Sequence, residues 1–164
     1  MKKLGLVLIF LLTIFNSTFA NSYSADPKMF VSELVNDAIS KLADKSIKEE
    51  EKIQFIEKVA TENVDINALG LYTLGELRKS TDKENLKKFQ ETFIKYFLKS
   101  LTSRLTDYSS NKFEVISADQ KSSNYTIVKS KILAGDNKPE IKIDWRIYTK
   151  NPDKPLIRDL IVEG

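Results

Sequence analysis

The sequence predicts an α+β fold in which N-terminal helices, including one long amphipathic helix, pack on a four-stranded antiparallel sheet. Two observations support this class. Apolar residues recur every three to four positions as far as Asp107, and they alternate with polar residues from Phe113 onward. Helices followed by a meander of strands are typical of folds that place the helices on one face of an antiparallel sheet.

The N-terminus has the layout of a cleavable secretory signal peptide. Two lysines precede an apolar stretch at 4–15, and Thr18 and Ala20 put small residues at the two positions that define a cleavage site. An uncleaved membrane anchor is the alternative. However, a stretch of this length forms a helix only about 18 Å long, against a hydrocarbon core of roughly 30 Å. We therefore expect a leader at 1–20, a cut after Ala20, and export from the cytoplasm.

The composition limits the chemistry that this chain can perform. It contains no histidine and no cysteine, so zinc and copper sites, Ser-His-Asp triads and thiol catalysis lack their usual residues. The 26 basic residues nearly balance the 23 acidic residues, whereas a nucleic-acid binder shows a clustered basic excess. Residues 21–164 have the length of one domain, which can bury a core without disulfides. We therefore expect one domain, no metal site and no nucleic-acid partner.

The first two helices follow from apolar spacing and from a capping signal. Pro27 opens the first helical pattern, and Ser46 with Glu49 has the spacing of a capping box that would begin the second helix. The apolar face of the first helix comprises Phe30, Leu34, Ala38 and Leu42, and that of the second comprises Ile53, Ile56, Val59 and Ala60.

A third helix is expected from Asp65 to about Leu77. It contains Gly70 and Gly75, and a glycine inside a helix costs about 1 kcal/mol relative to alanine. The two glycines therefore indicate close packing or a bend in this segment, and they do not indicate chemistry.

The longest predicted helix runs to about Asp107. Thr81 and Glu84 form a second capping box at its start. Its apolar stripe has two explanations: an ordinary core between helix and sheet, or one wall of a cavity for an apolar ligand. The sequence does not separate these, because both need the same residues. The stripe comprises Leu86, Phe89, Phe93, Phe97, Leu101 and Leu105.

Four strands with period two follow the long helix. The predicted strands are 113–118, 125–133, 140–149 and 156–162, with turns at 119–124 and 135–137. The apolar side chains of the third strand share one face: Ile141, Ile143, Trp145 and Ile147.

Two aspartates are candidates for catalysis. Asp144 and Asp159 fall on neighbouring predicted strands, with Arg146 and Arg158 close by in sequence. An acid pair with a basic partner can do general acid–base work, so a small α+β enzyme with Asp144 or Asp159 as general base is the alternative function. A cross-strand ion pair on the solvated face is the simpler explanation.

Several short segments are informative because of their order. They are Val64-Asp65-Ile66, Leu74-Gly75, Ser80-Thr81, the spacing of Phe89, Phe93 and Tyr96, the helix end Arg104-Leu105-Thr106-Asp107-Tyr108, and the strand Ile143-Asp144-Trp145-Arg146. The last strand adds a D-x-x-x-E-G pattern carried by Asp159, Glu163 and Gly164. Together these segments resemble the MlaC family of periplasmic phospholipid-binding proteins, also called the toluene-tolerance auxiliary family, over nearly the whole chain after the leader.

The resemblance implies a periplasmic carrier with a phospholipid as its ligand, no cofactor and no catalytic role. The implied partners are an inner-membrane ABC transporter with an MCE-domain protein and an outer-membrane lipoprotein complex, in the maintenance of outer-membrane lipid asymmetry. Family members continue past the E-G pair into a further helix, so we expect residues 21–164 to lack it. The expected pocket lies between the long helix and the sheet, and its residues are Phe89, Phe93, Phe97, Leu101, Ile141, Ile143, Trp145, Ile147, Leu160 and Val162.

Overall fold

The computed structural model describes residues 23–105, 112–133 and 139–163. The expected leader with its cut after Ala20, the turn at 135–137 and the end of the long helix at Asp107 lie outside these residues. Helices precede strands, which confirms the predicted α+β class. The elements are α1 (Pro27–Ala43), α2 (Glu49–Asn63), α3 (Ile66–Thr73), α4 (Leu77–Ser80), α5 (Lys83–Leu105), β1 (Phe113–Ser122), β2 (Tyr125–Ile132), β3 (Ile141–Tyr148) and β4 (Leu156–Glu163).

The starts of α1 and α2 are stabilised in different ways. The Asp26 carboxylate caps α1 by accepting a hydrogen bond from the Met29 amide at 2.9 Å. The capping box predicted for α2 is wrong, because Lys48 occupies the N-cap position and makes no side-chain capping bond. The Ser46 hydroxyl instead donates to the Asp44 carboxylate at 2.6 Å. Three glutamates in the first turn of α2 compensate, since negative charge is favoured at a helix N-terminus.

The third predicted helix corresponds to α3, which ends at Thr73, and a short helix that was not predicted, α4, begins at Leu77. The Asp65 carboxylate caps α3 by accepting from the Ala68 amide at 3.1 Å. Gly75 has a φ of +53°, a left-handed conformation that ends α3 and turns the chain into α4. Gly70 provides close packing, because a Cβ atom there would lie 2.8 Å from Cδ1 of Phe93. Both effects expected of the glycines are therefore present.

The long helix α5 begins at a different cap from the predicted one. The Asp82 carboxylate accepts hydrogen bonds from the backbone amide and the side chain of Asn85, at 2.9 and 2.7 Å. These bonds stabilise the charged form and lower the pKa of Asp82 below 3.8. The Thr81 hydroxyl donates to the Leu77 carbonyl at 2.7 Å, so it binds a backbone carbonyl of α4 and does not cap α5. The predicted capping box is therefore wrong.

The sheet is antiparallel with the order β1-β2-β3-β4, as expected for a meander. Strand β1 is longer than predicted, because pairs such as Asp119 with Ile127 continue the ladder to Ser122. The pairing of β3 with β4 shifts by one residue between Arg146 and Ile147, which leaves Arg158 as the additional residue of a bulge.

A compact core joins α1 to the sheet. Phe30 and Val31 are fully buried in one cluster with Val128 and Ile147. The α3 segment lies at the β4 edge, where the Asp65 amide donates to the Ile157 carbonyl at 2.9 Å. Helix α5 packs on α2 and α3 and faces the sheet at a distance. Within the described ranges, no helix is both long and apolar enough to span a membrane.

Candidate functional site

A cavity of about 460 Å³ lies between the helices and the inner face of the sheet, and it is partly open to solvent. This volume falls within the roughly 300–1,000 Å³ that is typical of small-molecule sites. Its walls are almost entirely apolar, since Arg158 and Asp159 are the charged residues among those that line it. Such a cavity offers dispersion contacts and exclusion of water, and very few hydrogen bonds.

Four helices form one side of this cavity. The first half of α1 fills its space with Phe30 and Val31, whereas the second half carries Ala38, whose single methyl group leaves room. On α5, Thr102 is the buried residue among those described, and the apolar stripe is half-buried, with Phe97, Leu101 and Leu105 facing the cavity. The helical lining comprises Leu34, Val35, Ala38, Ile39 and Leu42 of α1, Phe55, Ile56, Val59 and Ala60 of α2, Val64 directly after α2, Leu69 of α3, and Phe97, Leu101 and Leu105 of α5.

The opposite side is the inner face of the sheet, centred on Trp145. The Trp145 indole nitrogen donates to the Ser130 hydroxyl at 2.8 Å, and this hydroxyl donates to the Ile143 carbonyl at 3.1 Å. The Phe113 ring packs edge-on against the indole, with ring centroids 6.3 Å apart. The sheet lining comprises Phe113, Ile132, Ile143, Trp145, Ile157, Leu160 and Val162.

The structure brings together six of the ten residues predicted for the pocket. These are Phe97, Leu101, Ile143, Trp145, Leu160 and Val162.

The other four predicted residues lie outside the lining. Phe93 packs on Gly70 and stacks between Phe89 and Phe97, with ring centroids 5.7 and 6.2 Å apart. Ile147 is fully buried in the core below α1, and Ile141 pairs with Ile132 at the end of the sheet. The cavity therefore lies against the C-terminal part of α5, and Phe89, Phe93, Ile141 and Ile147 do not line it.

Sequence reasoning missed the contributions of α1 and α2. The apolar face of α1 was visible in the spacing of Leu34, Ala38 and Leu42, but periodicity shows only which face points inward. It does not show whether that face meets another side chain or a cavity. The alanine at position 38, a small residue in a lining that also contains the large Phe55 and Phe97, was the available signal of an incompletely filled space.

Of the two aspartates considered for catalysis, Asp159 is among the residues that line the apolar cavity and Asp144 is not. Asp144 alternates with the inward-facing Trp145, so it lies on the outer face, and it lines no cavity described here. The Asp159 carboxylate accepts a hydrogen bond from the Leu160 amide at 2.9 Å. The expected cross-strand ion pair is not formed, because Arg158 pairs with Asp65 at 2.9 Å.

Among the residues that the structure describes, no cluster of three or more metal-ligating side chains occurs.

A profile of the MlaC protein family matches residues 32–164. The chain belongs to the MlaC family. No curated protein matches the chain in sequence. Among solved structures, the chain is similar to a phospholipid-binding protein from Ralstonia solanacearum that was determined in complex with a phospholipid. The TM-score is 0.64 and the identity is 14%, over 82% of this chain and 76% of the other. At this identity the likeness shows that this member of the MlaC family shares the other protein's fold.

Proposed function

We propose that this protein binds a phospholipid, with the acyl chains in the apolar cavity and the headgroup towards solvent. The observation that carries the proposal is the cavity itself: an almost wholly apolar space of about 460 Å³ in a chain of the MlaC family. The related fold of a protein solved with a phospholipid supports it. Family membership favours a binding role over catalysis by Asp144 or Asp159.

The energetics of lipid transfer explain why a carrier needs such a cavity. Two acyl chains hold roughly 30 methylenes, and exposing each to water costs about 0.8 kcal/mol, or on the order of 20 kcal/mol in total. An apolar cavity lowers this barrier by replacing water contacts with side-chain contacts. The headgroup needs no burial, which is consistent with an opening to solvent and with a lining that has so few polar groups.

The proposed binding residues fall into two roles. Phe97, Leu101, Ile143, Trp145, Leu160 and Val162 would contact the acyl chains, together with the α1 and α2 side chains of the lining. Phe89 and Phe93 would act indirectly, since their stacking holds the Phe97 ring at the cavity wall. Ile141 and Ile147 would support the sheet.

The proposed setting is the periplasm, reached through a leader that is cut after Ala20. There the protein would exchange phospholipid with an inner-membrane ABC transporter that has an MCE-domain protein, and with an outer-membrane lipoprotein complex. This exchange would maintain outer-membrane lipid asymmetry. The family match supports this setting, and we propose a phospholipid and no cofactor as the occupant of the apolar cavity.

Mass spectrometry of the protein purified from bacteria tests the binding step. Organic extraction after gel filtration is expected to release phospholipid in near-stoichiometric amount. A control protein of similar size, carried through the same purification, accounts for lipid that adheres non-specifically. Finding no more phospholipid than in this control would overturn the proposal.

A further inference from the structure

A second cavity, of about 450 Å³, lies on the outer face of the sheet. Residues of α3 and α4 line it on one side, and residues of β2, β3 and β4 line it on the other. Unlike the apolar cavity, it is lined by cations and aromatic rings, and Asp159 is the carboxylate in its lining. The side chains that matter below are Arg78, Arg146, Arg158, Tyr72, Tyr125 and Tyr148.

The charges around this outer cavity are only partly balanced. Arg158 forms an ion pair with Asp65, with both Nε and Nη2 at 2.9 Å from Oδ2. Arg78 and Arg146 form no ion pair with any carboxylate of the described residues. Three guanidinium groups therefore face two carboxylates, those of Asp65 and Asp159, which leaves an excess of one positive charge.

Tyrosine rings hold two of the three guanidinium groups. The Cζ atom of Arg158 lies 3.4 Å from the centroid of the Tyr148 ring, and that of Arg146 lies 5.2 Å from the centroid of the Tyr125 ring. Tyr125 and Tyr148 are themselves direct cross-strand partners. Stacking occupies the faces of the guanidinium planes and leaves the N–H edges of Arg146 available to an anion, whereas the Nε–Nη2 edge of Arg158 is already paired with Asp65.

We propose that the outer cavity binds a phosphate group, either of a soluble phosphate ester or of a lipid headgroup. Guanidinium groups match phosphate oxygens in bidentate geometry. Arg78 and Arg146 line one cavity without a carboxylate partner among the described residues, so their donors remain for the several oxygens of a tetrahedral anion. The bulge in β4 contributes to the site, because it places Arg158 outside the regular strand alternation.

Isothermal titration calorimetry at constant ionic strength tests the proposal. The probes are inorganic phosphate, glycerol 3-phosphate and monomeric dihexanoyl phosphatidylglycerol, with glycerol as the neutral control. Arg146→Gln and Arg78→Gln are each expected to weaken phosphate binding about tenfold or more, because hydrogen bonds to charged groups are strong. Lys142→Gln is the matched control: it removes one charge from the same face of β3 outside the cavity.

The titrations distinguish the two possible sources of the phosphate group and can also overturn the proposal. Binding of glycerol 3-phosphate as tightly as of the short-chain lipid assigns the site to soluble phosphate esters, and preference for the lipid assigns it to a headgroup. Absence of binding by all three probes, or Arg variants that behave like Lys142→Gln, overturns the proposal. A lipid held only by its chains would not respond to the Arg substitutions. A variant whose apolar cavity is filled should still bind inorganic phosphate, which keeps this test separate from that of acyl-chain binding.

Discussion

The indole nitrogen of Trp145 and the hydroxyl of Ser130 are joined by a hydrogen bond of 2.8 Å between neighbouring strands. Both side chains are buried, and Ser130 is only 1% exposed. The hydroxyl uses its own proton to reach the Ile143 carbonyl at 3.1 Å. The polar edge of the tryptophan is therefore satisfied inside the sheet, which allows its apolar surface to form part of the cavity wall.

Replacing this serine should destabilise the fold. Ser130→Ala leaves the buried Trp145 N–H without an acceptor, and we expect a loss of about 1–3 kcal/mol in the free energy of unfolding, measured with urea. Ser117→Ala on β1 is the control. In a Trp145→Phe background the serine substitution should cost clearly less, because no N–H remains. An equal cost in both backgrounds would contradict the importance of this bond.

Filling the apolar cavity should reduce lipid binding. Ala38→Phe projects a ring into the space that the alanine leaves open, and we expect about a tenfold loss of bound phospholipid, equivalent to 1–2 kcal/mol. The measurement is phospholipid per protein by mass spectrometry. Ala43→Phe, at the exposed end of the same helix, is the matched control. Equal loading of the two variants would argue against acyl chains in this cavity.

The contact between α3 and α5 should be sensitive to a single methyl group. Gly70→Ala places Cβ 2.8 Å from Phe93, which is too close for a real contact, and we expect a cost of about 1–3 kcal/mol. Phe93→Leu should recover part of it. Gly75→Ala meets no atom within 4 Å and is disfavoured only by its φ of +53°, so Phe93→Leu should give it no relief.

Asp65 has two roles that substitutions can separate. Its Oδ1 caps α3 and its Oδ2 accepts from Arg158. Asp65→Asn keeps an acceptor for the cap and removes the charge, so we expect a loss of up to about 1 kcal/mol for this partly exposed pair. Asp65→Ala removes both and should cost roughly 1 kcal/mol more. Equal unfolding free energies for the two variants would show that the cap contributes nothing.

The contribution of Asp82 to the stability of the fold should disappear in acid. Hydrogen bonds from Asn85 lower its pKa below the ordinary value of 3.8, so folding favours the charged carboxylate. This stabilisation is complete above pH 3.8 and is lost as the pH falls through the lower pKa of the folded state. The difference in Tm between the wild type and Asp82→Ala should therefore shrink on going from pH 6 to pH 2.5. Asp153→Ala, at an exposed loop position, should show a small difference at both pH values.

The sequence predicted the features of this fold that depend on local periodicity. The i+4 spacing of α1 and the alternation in β3 identified these elements and their inward faces. The caps of α2 and α5 were predicted wrongly, because Ser46 and Thr81 bind other acceptors nearby, and their sequence spacing does not reveal that competition.

The candidate sites were less predictable, because they depend on distances between elements. The pair of Arg158 with Asp65 spans 93 positions, and no local pattern connects its members. The cavity exists because α5 rests on α2 and α3 at a distance from the sheet, and that spacing is set by tertiary packing. The stripe of Phe89, Phe93 and Phe97 has a single periodicity, yet in the structure it divides between helix packing and the cavity wall.

The close approach of Gly70 and Phe93 also bears on which changes the chain can accumulate. The two positions lie on different helices, and the ring at 93 occupies the volume that any larger side chain at 70 would need. A smaller residue at position 93 would leave room for a side chain at position 70. Conversely, a larger residue at position 70 would require a smaller one at position 93. We therefore expect these two positions to vary together among related chains, with their summed side-chain volume nearly constant.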